Sequence, residues 1–544
     1  MEGMGPLLMT SLNRSLLGAG ALLVGIGAGL ITGSGTAGAA PTDGSDPGPA
    51  AVDRGEATRS ASPARASRSP DARRSAAGLP ARPRTGPLPV RVPDAVSSQT
   101  RTQSPAAAPG PLQAAVLAAQ SYIYGYPLME YERVRALSTN LNTIVNRTSF
   151  ASPEDLPDPY WGAIGGGRRP NVDTLYSIAQ LDLSDGPVVL SVPDMGDRYY
   201  SFQITDPYTN VVGYIGSRTT GSAAGQYALT WEGGPQVDVP GAQTVTVADS
   251  SIMLLGRTLA GDVADQQQAI ALMNQYAISP SPGGPPVVIP QPAPGIDLLD
   301  AISEAMELNP PPARDAAQLA AMAQIGVGPG LRVADAGLGP LALLAADLAV
   351  KLTAALLPSL AEFRQLGSAV QNRGWAIPDA AIGDYGTDYL LRAGVAEVGL
   401  LANTPDEATY SSALLDGNLA PLSGYNTYYL HFEPGQTPPA DAFWSVTMYD
   451  GQGFLVSNPL KQYSVSSSRP QELVVRPDGS VDIIVSLADP ADPGANWLPA
   501  PAGPINPYLR IYVPEESVLD GTWTVPGLRW QWSIPAVAGF RVGR

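Results

Sequence analysis

Of the side chains that carry enzyme chemistry, this sequence supplies carboxylates, tyrosines and arginines. It has one histidine and no cysteine in 544 residues. Disulfides, thiolate catalysis, cysteine-ligated zinc and iron–sulfur clusters are therefore excluded, and a histidine-rich metal site cannot be built within one chain. A serine triad or histidine base would have to use His431, within Tyr428-Tyr-Leu-His-Phe432. The plainer reading of His431 is a strand histidine bonded to its neighbours. No Gly-x-Ser-x-Gly elbow stands between a strand and a helix.

Carboxylates are the next resource. Asp173, Asp194, Asp197 and Asp206 fall close together, and Asp441 and Asp450 occupy matching places later in the chain. Two carboxylates support glycoside hydrolysis, and three or more converging with carbonyl oxygens would bind calcium. Calcium is thus the one cofactor left open; no other cofactor and no transition metal is expected. Asp194, Asp197, Asp450 and Asp478 adjoin Gly or Pro, where aspartate favours turns. Asp173 has no turn residue beside it and ranks first.

Tyrosine is unusually frequent, 22 against 7 Phe and 8 Trp, so most aromatic rings carry a polar tip that seeks a partner when buried. Tyrosine exchanging a proton while arginine holds a carboxylate can abstract the proton beside a uronic acid without histidine or cysteine. The same tyrosines are also ordinary strand residues. The expected catalytic set is Asp173, Tyr176, Arg198, Tyr200 and Asp206. Substrate contacts are expected from Tyr208, Asn210, Trp444, Tyr449, Asn458 and Trp497, in a cleft between two β modules. Gly165-Gly-Gly-Arg-Arg169 precedes a strand, lacks a helix N-terminus, and reads as a loop instead of a phosphate cradle.

The elements that must position these residues follow from periodicity. Apolar residues recur at three and four positions from Leu112 to Leu137, a helix that Gly125 and Pro127 are expected to break or kink. From Asp173 to about Val263, short runs of Val, Ile, Tyr and Thr alternate with turn sets and predict antiparallel strands. Asp262 to Tyr276 reads as helix, and the proline-rich stretch from Ser279 to Gly295 as a surface connection. Helices are expected at Asp297–Leu308, Asp315–Ile325, Leu341–Leu366 and near Thr387–Leu400. A second β region runs from Tyr425 to Val525, with hairpin turns at Asp450-Gly451 and Asp478-Gly479. Asp197-Arg-Tyr-Tyr-Ser-Phe-Gln-Ile-Thr-Asp206 and Asp441-Ala-Phe-Trp-Ser-Val-Thr-Met-Tyr-Asp450 share one frame, which points to two copies of one unit. The fold class is α+β: two antiparallel β-sandwich, jelly-roll-like modules joined by a helical middle segment.

Residues 1–40 hold an apolar run from Leu16 to Ile31 and end in Ala37-Gly38-Ala39, the pattern of a secretory signal; a retained anchor is the alternative. Residues 41–110 are rich in Pro, Ala, Ser and Arg and predict a disordered arm. Ten arginines against six acids give the arm +4, so of the net −17 the remainder carries −21. So acidic a body disfavours nucleic acid, while the arm could touch a cell envelope or serve as a solvated spacer. The expected divisions are 1–40 signal, 41–110 arm, 111–278 first β module with its N-terminal helix, 279–384 connection and helical segment, and 385–544 second β module. The oligomeric state is not readable.

The strings Asn171-Val-Asp-Thr-Leu-Tyr-Ser177, Gly196-Asp-Arg-Tyr-Tyr-Ser-Phe-Gln203, Asp206-Pro-Tyr-Thr-Asn210 and Ile215-Gly-Ser-Arg-Thr-Thr-Gly221 resemble the bacterial domain of unknown function numbered 1254. Tyr385-Gly-Thr-Asp-Tyr-Leu-Leu-Arg392, the Asp441–Asp450 string, Asn496-Trp-Leu-Pro-Ala-Pro501 and Leu519-Asp-Gly-Thr-Trp523 resemble its companion, numbered 1214. The resemblance implies an exported, β-rich protein with the modules in this order, and it implies no reaction. Two functions remain in view. One is an exported hydrolase or lyase for a glycan or another polar extracellular small molecule. The other is a non-catalytic envelope protein that binds glycan or a partner through the same aromatic surface.

Overall fold

The structure, a computed structural model, describes residues 108–155, 168–235, 237–261 and 263–531. The expected signal segment, the expected arm up to residue 107 and Gly165–Gly167 lie outside the described residues. Among the described residues, seven α-helices and four β-sheets make a mixed α+β architecture. The helices are α1 (Pro111–Arg135), α2 (Val263–Met273), α3 (Ile296–Leu308), α4 (Ala316–Met322), α5 (Pro340–Gln371), α6 (Tyr389–Gly399) and α7 (Glu516–Leu519).

Helix α1 runs unbroken through Gly125 and Pro127, contrary to the expected break. Proline inside a helix costs about 3 kcal/mol, but Tyr124, Gly125, Pro127 and Leu128 are all buried, and packing outweighs that loss. Gly125 serves contact, since a Cβ there would lie 2.5 Å from Ile302 Cγ2 of α3. Helix α5 likewise continues through Pro358. Both start with proline in the first turn, where its missing N–H has no intrahelical partner to lose. One apolar cluster joins Leu117, Tyr124 and Leu128 of α1 to Ile302 and Met306 of α3, Met322 of α4, Val350 and Leu357 of α5 and Ala393 of α6.

The first β module contains β1 (Thr143–Arg147), β2 (Thr174–Asp182), β3 (Val188–Val192), β4 (Tyr200–Thr205), β5 (Val211–Gly216), β6 (Gly225–Trp231), β7 (Gln243–Val247), β8 (Ser251–Leu259) and β9 (Ala277–Ser279). They form a five-stranded sheet in the order β1-β2-β8-β4-β5 and a four-stranded sheet in the order β7-β6-β3-β9. Leu175, Phe202 and Leu254 of the first sheet share one core with Leu190 and Leu229 of the second.

The second module contains β10 (Trp375–Ala376), β11 (Ala408–Ala413), β12 (Tyr428–Phe432), β13 (Ala440–Asp450), β14 (Ser464–Ser466), β15 (Val481–Ser486), β16 (Asn496–Pro499), β17 (Ile505–Pro514) and β18 (Arg529–Trp530). Their orders are β10-β11-β17-β13-β14 and β16-β15-β12-β18. Strand for strand this repeats the first module, so the shared frame at Asp197 and Asp441 marks two copies of one topology.

The sheets correct the sequence reading in two respects. Each four-stranded sheet is mixed, because β6–β7 and β15–β16 pair in parallel. Parallel neighbours need a returning connection, which residues 232–242 and 487–495 supply. Asp450-Gly451 does not close a two-residue hairpin. Asp450 Oδ1 accepts the N–H groups of Gln452 and Phe454, and the partner β14 begins only at Ser464.

Candidate functional site

The two modules meet through reciprocal contacts. Asp173, just before β2, is fully buried and accepts hydrogen bonds from Ser445 Oγ at 2.6 Å and Ser464 Oγ at 3.2 Å, with Arg469 Nη1 at 3.5 Å. Glu407, just before β11, reaches the other way. It accepts from Tyr199 OH at 2.7 Å and Arg218 Nε at 2.7 Å. Each module thus inserts the acid at the head of its second strand beside the fourth and fifth strands of the other. Tyr199 and Phe443, equivalent in the repeated frame, meet edge to face at 5.9 Å, and Phe443 stacks on Tyr512 at 4.4 Å. Contacts of i with j′ and of j with i′ are the pattern of identical subunits about a two-fold axis.

On this seam lies a cleft of about 160 Å³, lined by Tyr176 and Arg257 from the first module and by Tyr410, Tyr508, Arg510 and Tyr512 from the second. Arg147, Arg168 and Arg169 also line it, and no carboxylate does so among the described residues. Arg257 pairs across β8 with Tyr176 on β2 and Ser201 on β4. Arg510 pairs across β17 with Tyr410 on β11 and Ser445 on β13. The two arginines are therefore one position of the repeat, seen twice.

Both arginines are buried, at 5 % and 3 % exposure. Arg257 donates from Nη1 to Gln203 Oε1 (2.8 Å) and Asn403 Oδ1 (2.7 Å), and from Nη2 to the Leu401 carbonyl (2.8 Å). Arg510 donates from Nη1 to Thr447 Oγ1 (3.0 Å), and from Nη2 to the Arg169 carbonyl (2.6 Å) and Tyr449 OH (2.9 Å). Every one of these acceptors is neutral. A guanidinium has five N–H donors and stays charged in proteins, so each arginine holds two donors beyond the three so engaged. Burial pushes the Tyr410 and Tyr449 hydroxyls up to about 12, against the lowering effect of the neighbouring arginines. Those tyrosines stay neutral at physiological pH, so among the lining side chains the arginines set the sign of the cleft.

Of the residues expected to form the site, Tyr176 lines this cleft, with Arg257 over its ring at 5.9 Å. Tyr449 stands behind Arg510 and donates to the Pro170 carbonyl at 2.6 Å. Arg198 is held at α2 by Asp265, at 2.5 Å, and Tyr200 lies in the first module's core, donating to the Gly221 carbonyl. Asp206 accepts from Asn210 N and Nδ2, both at 2.8 Å; burial raises its carboxyl pKa, which these bonds partly offset. Tyr208 is buried against Tyr124 and Arg392 in the helical layer. Trp444 packs on Phe432 in the second core, Asn458 closes the turn to Gln462, and Trp497 donates to the Ser486 carbonyl. None of these side chains except Tyr176 lines the cleft. His431 donates from Nδ1 to Asp482 Oδ1 at 2.6 Å, and its Nε2 lies 3.5 Å from Glu433. No cluster of three or more His, Asp or Glu side chains suited to a metal occurs among the described residues.

Sequence reasoning missed Arg257, Arg510, Tyr410, Tyr508 and Arg169. The signal for the first two was present. Leu254-Leu-Gly-Arg-Thr-Leu259 and Tyr508-Leu-Arg-Ile-Tyr512 each set one arginine in the middle of an apolar strand, where a charge is rarely buried without a task.

Comparison with known proteins fits this architecture. Residues 166–280 match the family described as protein of unknown function DUF1254, and residues 407–516 match protein of unknown function DUF1214. Their order and pairing are those expected from the motifs. No curated protein matches the chain. Among solved structures, the VPA0106 protein of Vibrio parahaemolyticus is 23 % identical with a TM-score of 0.55, covering 77 % of this chain and 100 % of its own, and it shares the fold. An uncharacterised protein from Burkholderia cenocepacia is 14 % identical with a TM-score of 0.38, over 76 % of this chain and 88 % of its own.

Proposed function

We propose that the cleft on the seam binds a small organic acid. The observation that carries this reading is the pair Arg257 and Arg510, two buried cations held by neutral acceptors in a site without a lining carboxylate. Asp173, a carboxylate that acts on Arg510, lies outside the lining and is itself engaged by Ser445, Ser464 and Arg469, so the cost of burying two like charges on one seam is only partly met, and an anionic ligand would offset the rest. The proposal narrows the expected ligand, a glycan or other polar extracellular small molecule, to one bearing an acid group. Export stays part of the proposal on the pattern of residues 1–40, and so does a β-sandwich of the jelly-roll kind for each module, on the core its two sheets share.

Lyase turnover is a second reading, favoured by Tyr176 and Tyr410 beside Arg257. An arginine that neutralises a carboxylate eases loss of the adjacent proton, which a tyrosine oxygen would take as its own hydroxyl proton passes to the leaving oxygen, so that the neutral phenol is regenerated. The hydrolase alternative would rest on His431 or on a carboxylate pair, and neither lines the cleft.

Calorimetric titration of the full chain with galacturonate and hexanoate, each against its neutral counterpart galactose or hexanol, tests the proposal. At least one acid is expected to bind tenfold or more tightly than its counterpart. Arg510→Gln and Arg169→Gln should each weaken it, with melting temperature measured alongside. If neither acid is preferred, or if a folded Arg510→Gln variant keeps full affinity, the anion reading fails.

A further inference from the structure

A second, larger cavity of about 730 Å³ adjoins the cationic cleft. Its walls are the C-terminal half of α5 (Leu357, Leu360), α6 (Leu391, Val395) and the segment around Ile377 and Ile382. It has the volume and apolar lining of a small-molecule pocket. Its charged pair, Arg364 with Asp379, is about half exposed, with side chains 49 % and 37 % accessible, and bonds to itself at 2.5 Å.

The two cavities share Arg169, Val398, Gly399, Ala402, Tyr410 and Tyr508 as wall residues. At this junction the Tyr410 and Tyr508 rings stack at 6.4 Å, and Arg510 and Arg169 lie over the Tyr508 ring at 4.8 and 5.7 Å. Aromatic plates with polar tips suit a boundary between an apolar and a charged compartment. On one side of it stand guanidiniums without carboxylates, and on the other leucine, isoleucine and valine.

Resting on the anion reading above, we propose that the two cavities form one site for an amphipathic organic acid, with its anionic head at Arg257 and Arg510 and its apolar body between α5 and α6. Charge complementarity fixes the head end, and the shared wall fixes the direction of the tail. A free carboxylic acid and an alkyl phosphate present the same chemistry to such a site.

The test is titration of the full chain with decanoate, hexanoate, decanol and decyl phosphate below their aggregation limits, repeated on Gly394→Phe. A Cβ at Gly394 meets only Ala361 Cβ, at 3.7 Å, so a large side chain there extends along the apolar cavity without a backbone clash. Decanoate should bind at least tenfold more tightly than hexanoate, since four further methylenes leave water, and at least tenfold more tightly than decanol, which lacks the anionic head. Gly394→Phe should abolish the chain-length gain and leave hexanoate affinity unchanged. Tighter binding of decyl phosphate than of decanoate also supports the site and assigns a phosphate head. Equal affinity for decanoate and hexanoate, with hexanoate still preferred to hexanol, overturns this proposal and leaves the anion site standing. Decanol binding as tightly as decanoate overturns it too, and loss of every preference for acids removes the anion site itself.

Discussion

At the scale of single residues, the chain separates groups that hold the fold from groups that line the cleft. His431 belongs to the first kind. Its hydrogen bond to Asp482 raises its pKa, so the bond stabilises the fold below the ordinary histidine range and is lost as pH rises through the raised value. His431→Gln should therefore lower the melting temperature most at about pH 5.5 and least at about pH 9. Paired melts at the two pH values check this, and a gap that widens toward alkaline pH contradicts it. Asp173 shows what residue types alone leave out. Its strand position and lack of turn neighbours were legible, but its partner Ser445 lies 272 residues away, and no local pattern reports a contact of that range. Tyr200 and Trp444 lie in the two cores, a placement hidden for a related reason: an aromatic residue on a strand reads the same whether its face of the sheet is core or cleft.

Among elements, the helices show how packing overrides local preference. Gly125→Ala gains about 1 kcal/mol in helix propensity but drives a methyl into Ile302, and overpacking of this kind costs about 1–3 kcal/mol. The variant should melt lower. Gly367→Ala, exposed on α5 with nothing within 4 Å of the new Cβ, should gain about 0.5–1 kcal/mol and melt higher. Thermal melts of both variants, opposite in sign for the same substitution, check the argument. Helix limits were largely legible, as at Asp297–Leu308 against Ile296–Leu308, because amphipathic spacing is written locally. Continuity through Pro127 was not, since it depends on the helices packed around α1. Strand direction failed at β7 and β16 because parallel and antiparallel neighbours share the same two-residue alternation.

For the whole molecule, the crossed acids Asp173 and Glu407 tie one module to the other. The double variant Asp173→Asn, Glu407→Gln leaves arginines and hydroxyls short of their acceptors, at about 1–3 kcal/mol for each site. It is expected to turn a single calorimetric unfolding transition into two resolved ones; one sharp transition in the variant would show that the helical layer alone couples the modules. The ten-residue frame made the repeat legible, but not the way its copies face each other, which no periodicity encodes. Covalent linkage of two like copies has a consequence for recognition. Where two separate identical chains meet on an axis, any substitution beside the axis occurs twice, so the site stays symmetric. Here the copies have diverged. Arg257 is steadied by the amides of Gln203 and Asn403, whereas Arg510 leans on a threonine hydroxyl, a tyrosine and a main-chain carbonyl. The apolar cavity opens on the side of Tyr410 and Tyr508, both from the second copy. On the binding proposal, a ligand entering this seam would meet two unlike ends, which favours one orientation over its reverse.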